Sequence, residues 1–239
     1  IIFTPTSSTM IPTLATIAAL ATLVTASPMK RGPVIPNYPT TSTSQGFHLV
    51  VNVTNPELDF ESPINNFYIN SIHVGAGLNL VGVSDYPGRI FYQNGTAEDI
   101  RYGRGTIISD AGTVPLPYGI SLTADDESEE LFTARMNAGF GTPGLSLSRF
   151  PEPYVFVLFE QYVACDEALD YYHGKHFVII KRIPYGGSMP DNCIPVRLLP
   201  QCTKLNALPE GSWSSHEFAA NSACYDDVSA LEWTKYGPY

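Results

Sequence analysis

Phe47-His48-Leu49-Val50-Val51-Asn52-Val53 decides the fold class. Phe47, Leu49, Val51 and Val53 recur with period two, the spacing that sends one set of side chains to one face of an extended chain. Branched Val at three of these seven positions favours a pleated backbone over a helical one. The stretch therefore predicts a half-buried strand. Working outward, runs of the same type follow at 67–74, 78–83, 90–93, 106–108, 120–123, 154–160, 177–181 and 196–199, separated by Gly, Pro, Asn and Asp clusters. No long amphipathic helix interrupts them, and 20 prolines with 19 glycines spread along the chain punctuate turns and break helices. The pattern predicts an all-β fold, an antiparallel β-sandwich with a barrel as the alternative closure. Tyr154-Val155-Phe156-Val157-Leu158-Phe159 is apolar on both faces and predicts a central strand in the core. The stretch 122–136, with the acidic run Asp125-Asp126-Glu127-Ser128-Glu129-Glu130, reads as a solvated connection, and 226–233 as a short helix capped by Asp226 or Asp227.

The chain has 239 residues, 44% hydrophobic, 12% aromatic and 15% charged. That excludes an acidic disordered tail and a coiled coil, both of which need far more charge. Thirteen Lys+Arg against 23 Asp+Glu leave a formal net charge of −10, so nucleic acid and anionic membranes are poor partners. Met10 opens an apolar run, 11–24, that ends in Val24-Thr25-Ala26 before Ser27. This run is shorter than the roughly 20 residues a bilayer-spanning helix needs, and its small residues fit a signal-peptidase site. The dibasic pair Lys30-Arg31 follows as a processing site. The organisation expected is a leader at 1–31, a Pro/Thr/Ser linker at 32–45, an all-β domain at 46–200 and a Cys-containing extension at 201–239. The mature chain carries no membrane span and is expected outside the cell, secreted or in the cell wall.

Export brings two further expectations. The sequons at Asn94 and Asn52 become glycan acceptors, Asn94 the better placed because Asn-Gly favours an exposed loop tip. Cys165, Cys193, Cys202 and Cys224 form two disulfides. Three connectivities are open, and Cys165–Cys193 with Cys202–Cys224 is preferred because the second bridge closes a tail with little core of its own.

Three blocks carry a resemblance. They are His73-Val74-Gly75-Ala76-Gly77-Leu78-Asn79 after Phe67-Tyr68-Ile69, then Cys165-Asp166 with Tyr171-Tyr172-His173-Gly174, then Asn192-Cys193-Ile194-Pro195-Val196-Arg197-Leu198. Over about 46–200 the chain resembles a family of small secreted or cell-wall-associated proteins of filamentous fungi, a domain of unknown function. The resemblance implies a secreted fungal protein and brings no catalytic residue with it. Tyr171-Tyr172 stands where tryptophan is expected in relatives, and the tail beyond Leu199 lies outside the matched region.

The densest group of chemistry-bearing residues is His173-Gly174-Lys175-His176 beside Tyr171-Tyr172 and Asp166-Glu167. Its ordinary reading is a turn; its functional one is a divalent-metal site through His173 and His176. Gly75-Ala76-Gly77 reads as a tight turn with His73 partly buried before it, since the following helix and Lys of a phosphate loop are missing. A Ser-His-Asp hydrolase needs Gly-x-Ser-x-Gly, and Gly144-Leu145-Ser146-Leu147-Ser148 lacks the second glycine. Two carboxylates suffice for a glycosidase, with Glu160 and Asp166 as the candidates. Tyr171, Tyr172, His173 and Tyr185 are candidates for ligand binding, the tyrosines by stacking on sugar rings. No cofactor is expected. The reading is a non-enzymatic structural or binding protein of the fungal surface or wall, its partner a wall polysaccharide or another protein; the alternatives are a polysaccharide hydrolase and a divalent-metal-binding protein.

Overall fold

The computed structural model describes residues 38–126, 129–149 and 152–236, so the expected leader, its cleavage sites and the start of the linker lie outside the described residues. The strands are β1 Ser42–Ser44, β2 Gly46–Val53, β3 Tyr68–Gly75, β4 Leu78–Ser84, β5 Phe91–Asn94, β6 Thr106–Ala111, β7 Leu116–Ala124, β8 Phe132–Ala138, β9 Tyr162–Leu169, β10 Lys175–Arg182, β11 Cys193–Thr203, β12 Ala219–Ala220 and β13 Ser222–Cys224. One five-residue helix, α1 Ala97–Arg101, follows β5, closed by a capping box between Thr96 and Asp99.

Eleven strands form one antiparallel sheet in the order β10-β9-β11-β2-β3-β4-β8-β7-β6-β5-β12, and β1 pairs separately with β13. The sheet folds back on itself: Ile179 of β10 pairs with Gly82 of β4, Lys181 with Thr133 of β8, and Phe47 of β2 with Phe91 of β5. The all-β, antiparallel expectation holds. One core cluster draws from both halves of the folded sheet, with Phe47, Leu49, Val51 and Val53 of β2 beside Phe91, Ile107, Met136, Ile180 and Leu198. The period-two phase of β2 is the physical reason: Asn52 and His48 turn to the other face, where His48 Nδ1 donates to the Arg89 carbonyl at 2.7 Å.

Several expectations are corrected. Residues 154–160 are not a strand. Val155, Phe156 and Val157 are buried, but their amides find partners off any ladder, namely the Tyr225 hydroxyl at 2.9 Å, the Ser148 hydroxyl at 3.2 Å and the Leu198 carbonyl at 2.9 Å. An irregular segment that crosses a core is apolar on both sides just as a central strand is, so the pattern could not separate the two. β9 follows it, its buried Val163-Ala164-Cys165 lacking the alternation that marks β2. Residues 132–136 form β8 of a β7–β8 hairpin rather than a connection. At 226–233 there are turns, Asp227 Oδ1 accepting from the Ser229 amide, and a 3-10 turn Trp233–Lys235. His73 is exposed, Asn94 is half-buried at the end of β5 rather than at a loop tip, and Asp125 is bound to Lys181 rather than solvated. The end of the expected linker forms β1, and the tail sends Cys224, Tyr225 and Val228 into the main core.

Candidate functional site

The site grows from the C-terminal end of β2, where Asn52 is half-buried while its same-face neighbour Val50 is buried in the core. Asn52 points away from the core and pairs in register with Arg197 of β11, so an amide and a guanidinium stand side by side on the outer surface. The irregular segment 152–161 runs along this face and the 3-10 turn of the tail closes it. Together they bound a groove of about 1080 Å³, its walls Tyr154, Phe156, Tyr162 and Trp233 with Tyr236, its polar groups Asn52, Asn65, Glu152, Glu160, Gln161, Arg197 and Glu232.

The aromatic wall is a packed cluster. Tyr38 meets Tyr154 edge-on at 5.4 Å, Trp233 lies 6.3 Å from Tyr154, and Trp233 rests at 88° on the buried ring of Tyr225, 5.9 Å away. Tyr162 donates to the Leu158 carbonyl at 2.8 Å, and burial pushes its phenol above the ordinary value, so it stays a protonated donor.

Glu160 is half exposed and paired with one cation. Its Oε1 accepts from Arg197 Nη2 at 3.0 Å, and that guanidinium lies over the Phe156 ring at 5.4 Å. Its neighbours Phe159 and Gln161 both adopt positive φ, 62° and 76°, in the left-handed region that costs a bulky residue about 1–3 kcal/mol and tends to persist where a site needs it. Phe159 is fixed in turn by the Arg182 guanidinium 5.3 Å from its ring.

The sequence-derived candidates fall in different places. Glu160 lies in the groove. Asp166 pairs instead with His176 Nδ1 at 3.0 Å, and it sits about 13 Å along β9 from Tyr162 at the usual strand rise, so the structure does not join the two carboxylates. Tyr171 and Tyr172 belong to a surface row at the β9–β10 turn, running from His73 to Tyr171 (5.6 Å), to Tyr172 (5.2 Å) and to Phe177 (4.7 Å). His173 takes the left-handed conformation that closes this turn. His173 and His176 are exposed, and among the described residues no group of three or more His, Cys, Asp or Glu could hold a metal. Tyr185, 96% exposed, stands on the loop between β10 and β11. Cys165–Cys193 staples β9 to β11, and Cys202–Cys224 ties the end of β11 to β13. Asn52 lines the groove.

Sequence reasoning missed Tyr154, Arg197, Gln161, Trp233 and Tyr236. Tyr154 was absorbed into an apparent core strand, and Trp233 into an apparent helix. The available signal was the placing of both tryptophans in the tail, Trp213 and Trp233, where strand periodicity is weakest.

A family model for a domain of unknown function, DUF7907, matches residues 44–202. The chain belongs to this family. Over 221 residues it is 58% identical to antigenic protein SchS34 of Stachybotrys chartarum, a match covering 89% of this chain and 100% of that relative. No solved structure matches. Asn52, Glu160, Gln161 and Arg197 lie inside the DUF7907 match, whereas Trp233 and Tyr236 lie beyond it, so the groove joins the family domain to the tail.

Proposed function

We propose that the protein is exported and acts outside the fungal cell as a non-enzymatic binding protein for wall polysaccharide, with the groove as its sugar site. The observation that carries the reading is the groove's lining, which brings the rings of Tyr154 and Trp233 together with the hydrogen-bonding side chains of Asn52, Gln161, Glu160 and Arg197. A sugar ring has an apolar C–H face and a rim of hydroxyls. Rings stack on the first, and side chains with two donors or acceptors in one plane bridge adjacent members of the second. The Tyr171–Tyr172 row, with His173 at its turn and Tyr185 nearby in sequence, offers a second surface for the same polymer.

Export is supported by two disulfides, which persist in oxidising compartments, and by the relative's description as antigenic. No helix among the described residues is long and apolar enough to cross a membrane.

The test is sedimentation of the mature protein with insoluble chitin and with insoluble β-glucan, assaying the supernatant for released sugar. Depletion without sugar release is expected, and Trp233→Ala or Arg197→Gln should weaken it about tenfold, the scale of 1.4 kcal/mol. Sugar release would replace the reading with a hydrolase and make Glu160 the first target. Absence of depletion would overturn it in favour of a protein partner.

A further inference from the structure

The groove is not electrically neutral. Glu152, Glu160 and Glu232 line it against one cation, Arg197, and Arg197 is already paired with Glu160 at 3.0 Å. Glu232 reaches Lys235 at 2.7 Å, but both side chains are more than half exposed, and an exposed pair three residues apart on the chain is weak and exchanges readily with another cation. The lining is therefore anionic beside aromatic faces, and the chain around it carries a net charge of −10. A neutral sugar chain would satisfy the aromatic faces and leave this charge unused; an acidic one would be repelled. We infer that the groove selects a polysaccharide bearing free amino groups, a chain of glucosamine units, over its N-acetylated or neutral counterparts. This rests on the groove binding sugar at all.

The physical basis is twofold. A protonated amine on a ring already stacked in the groove lies within reach of a carboxylate, a charge-assisted contact worth roughly twice a neutral hydrogen bond. An ammonium near the rings of Tyr154 and Trp233, which line the same groove, would gain further from their electron-rich π-systems. The overall negative field adds a long-range attraction for a polycation that salt screens out within about 10 Å at 0.1 M. The specificity thus has a signature of its own: it should weaken as salt rises, while stacking should not.

The experiment is titration calorimetry of the intact mature protein at mildly acidic pH, where the amines are charged. The probes are hexamers of glucosamine, N-acetylglucosamine and β-linked glucose, and a hexalysine peptide. At low salt the glucosamine hexamer is expected to bind about tenfold more tightly than the other two sugars, a difference of about 1.4 kcal/mol. The ratio should fall severalfold when salt is raised. Glu152→Gln with Glu232→Gln should bring it close to one, whereas Glu210→Gln with Glu217→Gln, the same change in net charge at exposed positions outside the groove, should leave it in place. Equal affinity for all three sugars overturns the inference and leaves the sugar-binding reading standing. Hexalysine binding as tightly as the glucosamine hexamer overturns it in favour of a basic peptide. Binding of none of the sugars overturns both.

Discussion

Lys181 is 7% exposed and lies between two carboxylates, Asp125 Oδ2 at 2.7 Å and Glu167 Oε1 at 2.6 Å. Asp125 also accepts from the Thr133 hydroxyl at 2.6 Å. Burial by itself lowers the lysine's pKa, but its hydrogen bonds to the two carboxylates and their charge outweigh this and hold it above the ordinary value. A raised folded-state value means that the contribution is complete below the unfolded value, near 10.5, and is lost as pH rises through the folded one. Lys181→Met is therefore expected to cost about 3 kcal/mol in urea unfolding at neutral pH, since it leaves two half-buried carboxylates without their cation. The gap to the parent protein should narrow above about pH 10.5. A gap constant up to pH 12 or so would show that packing of the side chain, rather than charge, sets the loss. In the sequence, Asp125 is one letter of an acidic run and reads as solvated. Its partner lies 56 residues away, and no local pattern reaches that far. His73 fails for the opposite reason: the Gly75–Gly77 turn after it is legible, while the exposure of its face depends on which hairpin packs beside it.

The two disulfides divide the work between elements. Cys165–Cys193 joins residues already opposite one another on β9 and β11, reinforcing a ladder that exists without it. Cys202–Cys224 spans 22 residues and anchors β13, whose sheet partner among the described residues is the three-residue β1. Replacing Cys202 and Cys224 by Ser should cost about 3 kcal/mol, the loop-closure value for that span. Limited proteolysis should then cut first within 204–222, where backbone ladders are sparse. Cutting at the β9–β10 turn first would argue that the tail holds by its core contacts, Tyr225 and Val228, alone. That the four cysteines form two bridges was legible from their even number; which pairs with which was a preference among three open connectivities, and the structure supplies it. The strands were legible where alternation was clean, as in β2, or where a short branched and aromatic run stood between turn residues, as in β10. The segment 154–160 was not, because burial on both sides looks the same in sequence whether a chain lies inside a sheet or threads between its layers. That one ambiguity concealed the groove, since this segment supplies Tyr154, Phe156, Glu160 and Gln161 to it.

Across the whole molecule, the two sequons bear on the groove differently. Asn52 lines it, so a glycan there would fill the space a ligand needs, while Asn94 sits at the far end of β5. Peptide mapping of secreted protein should find Asn94 modified and Asn52 bare. A glycan on Asn52 would remove the groove from consideration as a binding site. The all-β class and the resemblance to the family were legible as totals of many small signals: alternation, turn residues, and blocks that fall inside 44–202. The site was not, because it is assembled from β2, β11 and the tail, and its aromatic wall comes partly from beyond the family domain.

The pairing of β2 with β11 sets the order of events when the chain is made. Residues 46–53 emerge first of the main sheet, yet their long ladder partner is 196–203, and the cysteine that pairs with Cys202 comes later still. At synthesis rates of about 5–20 residues per second, β2 waits roughly 10–30 s with that backbone edge unpaired. Loop closure over such a span is also entropically slow. The nascent chain thus passes through a long interval as an unsealed sheet with an unpaired edge, open to pairing with a second chain until its own β11 arrives.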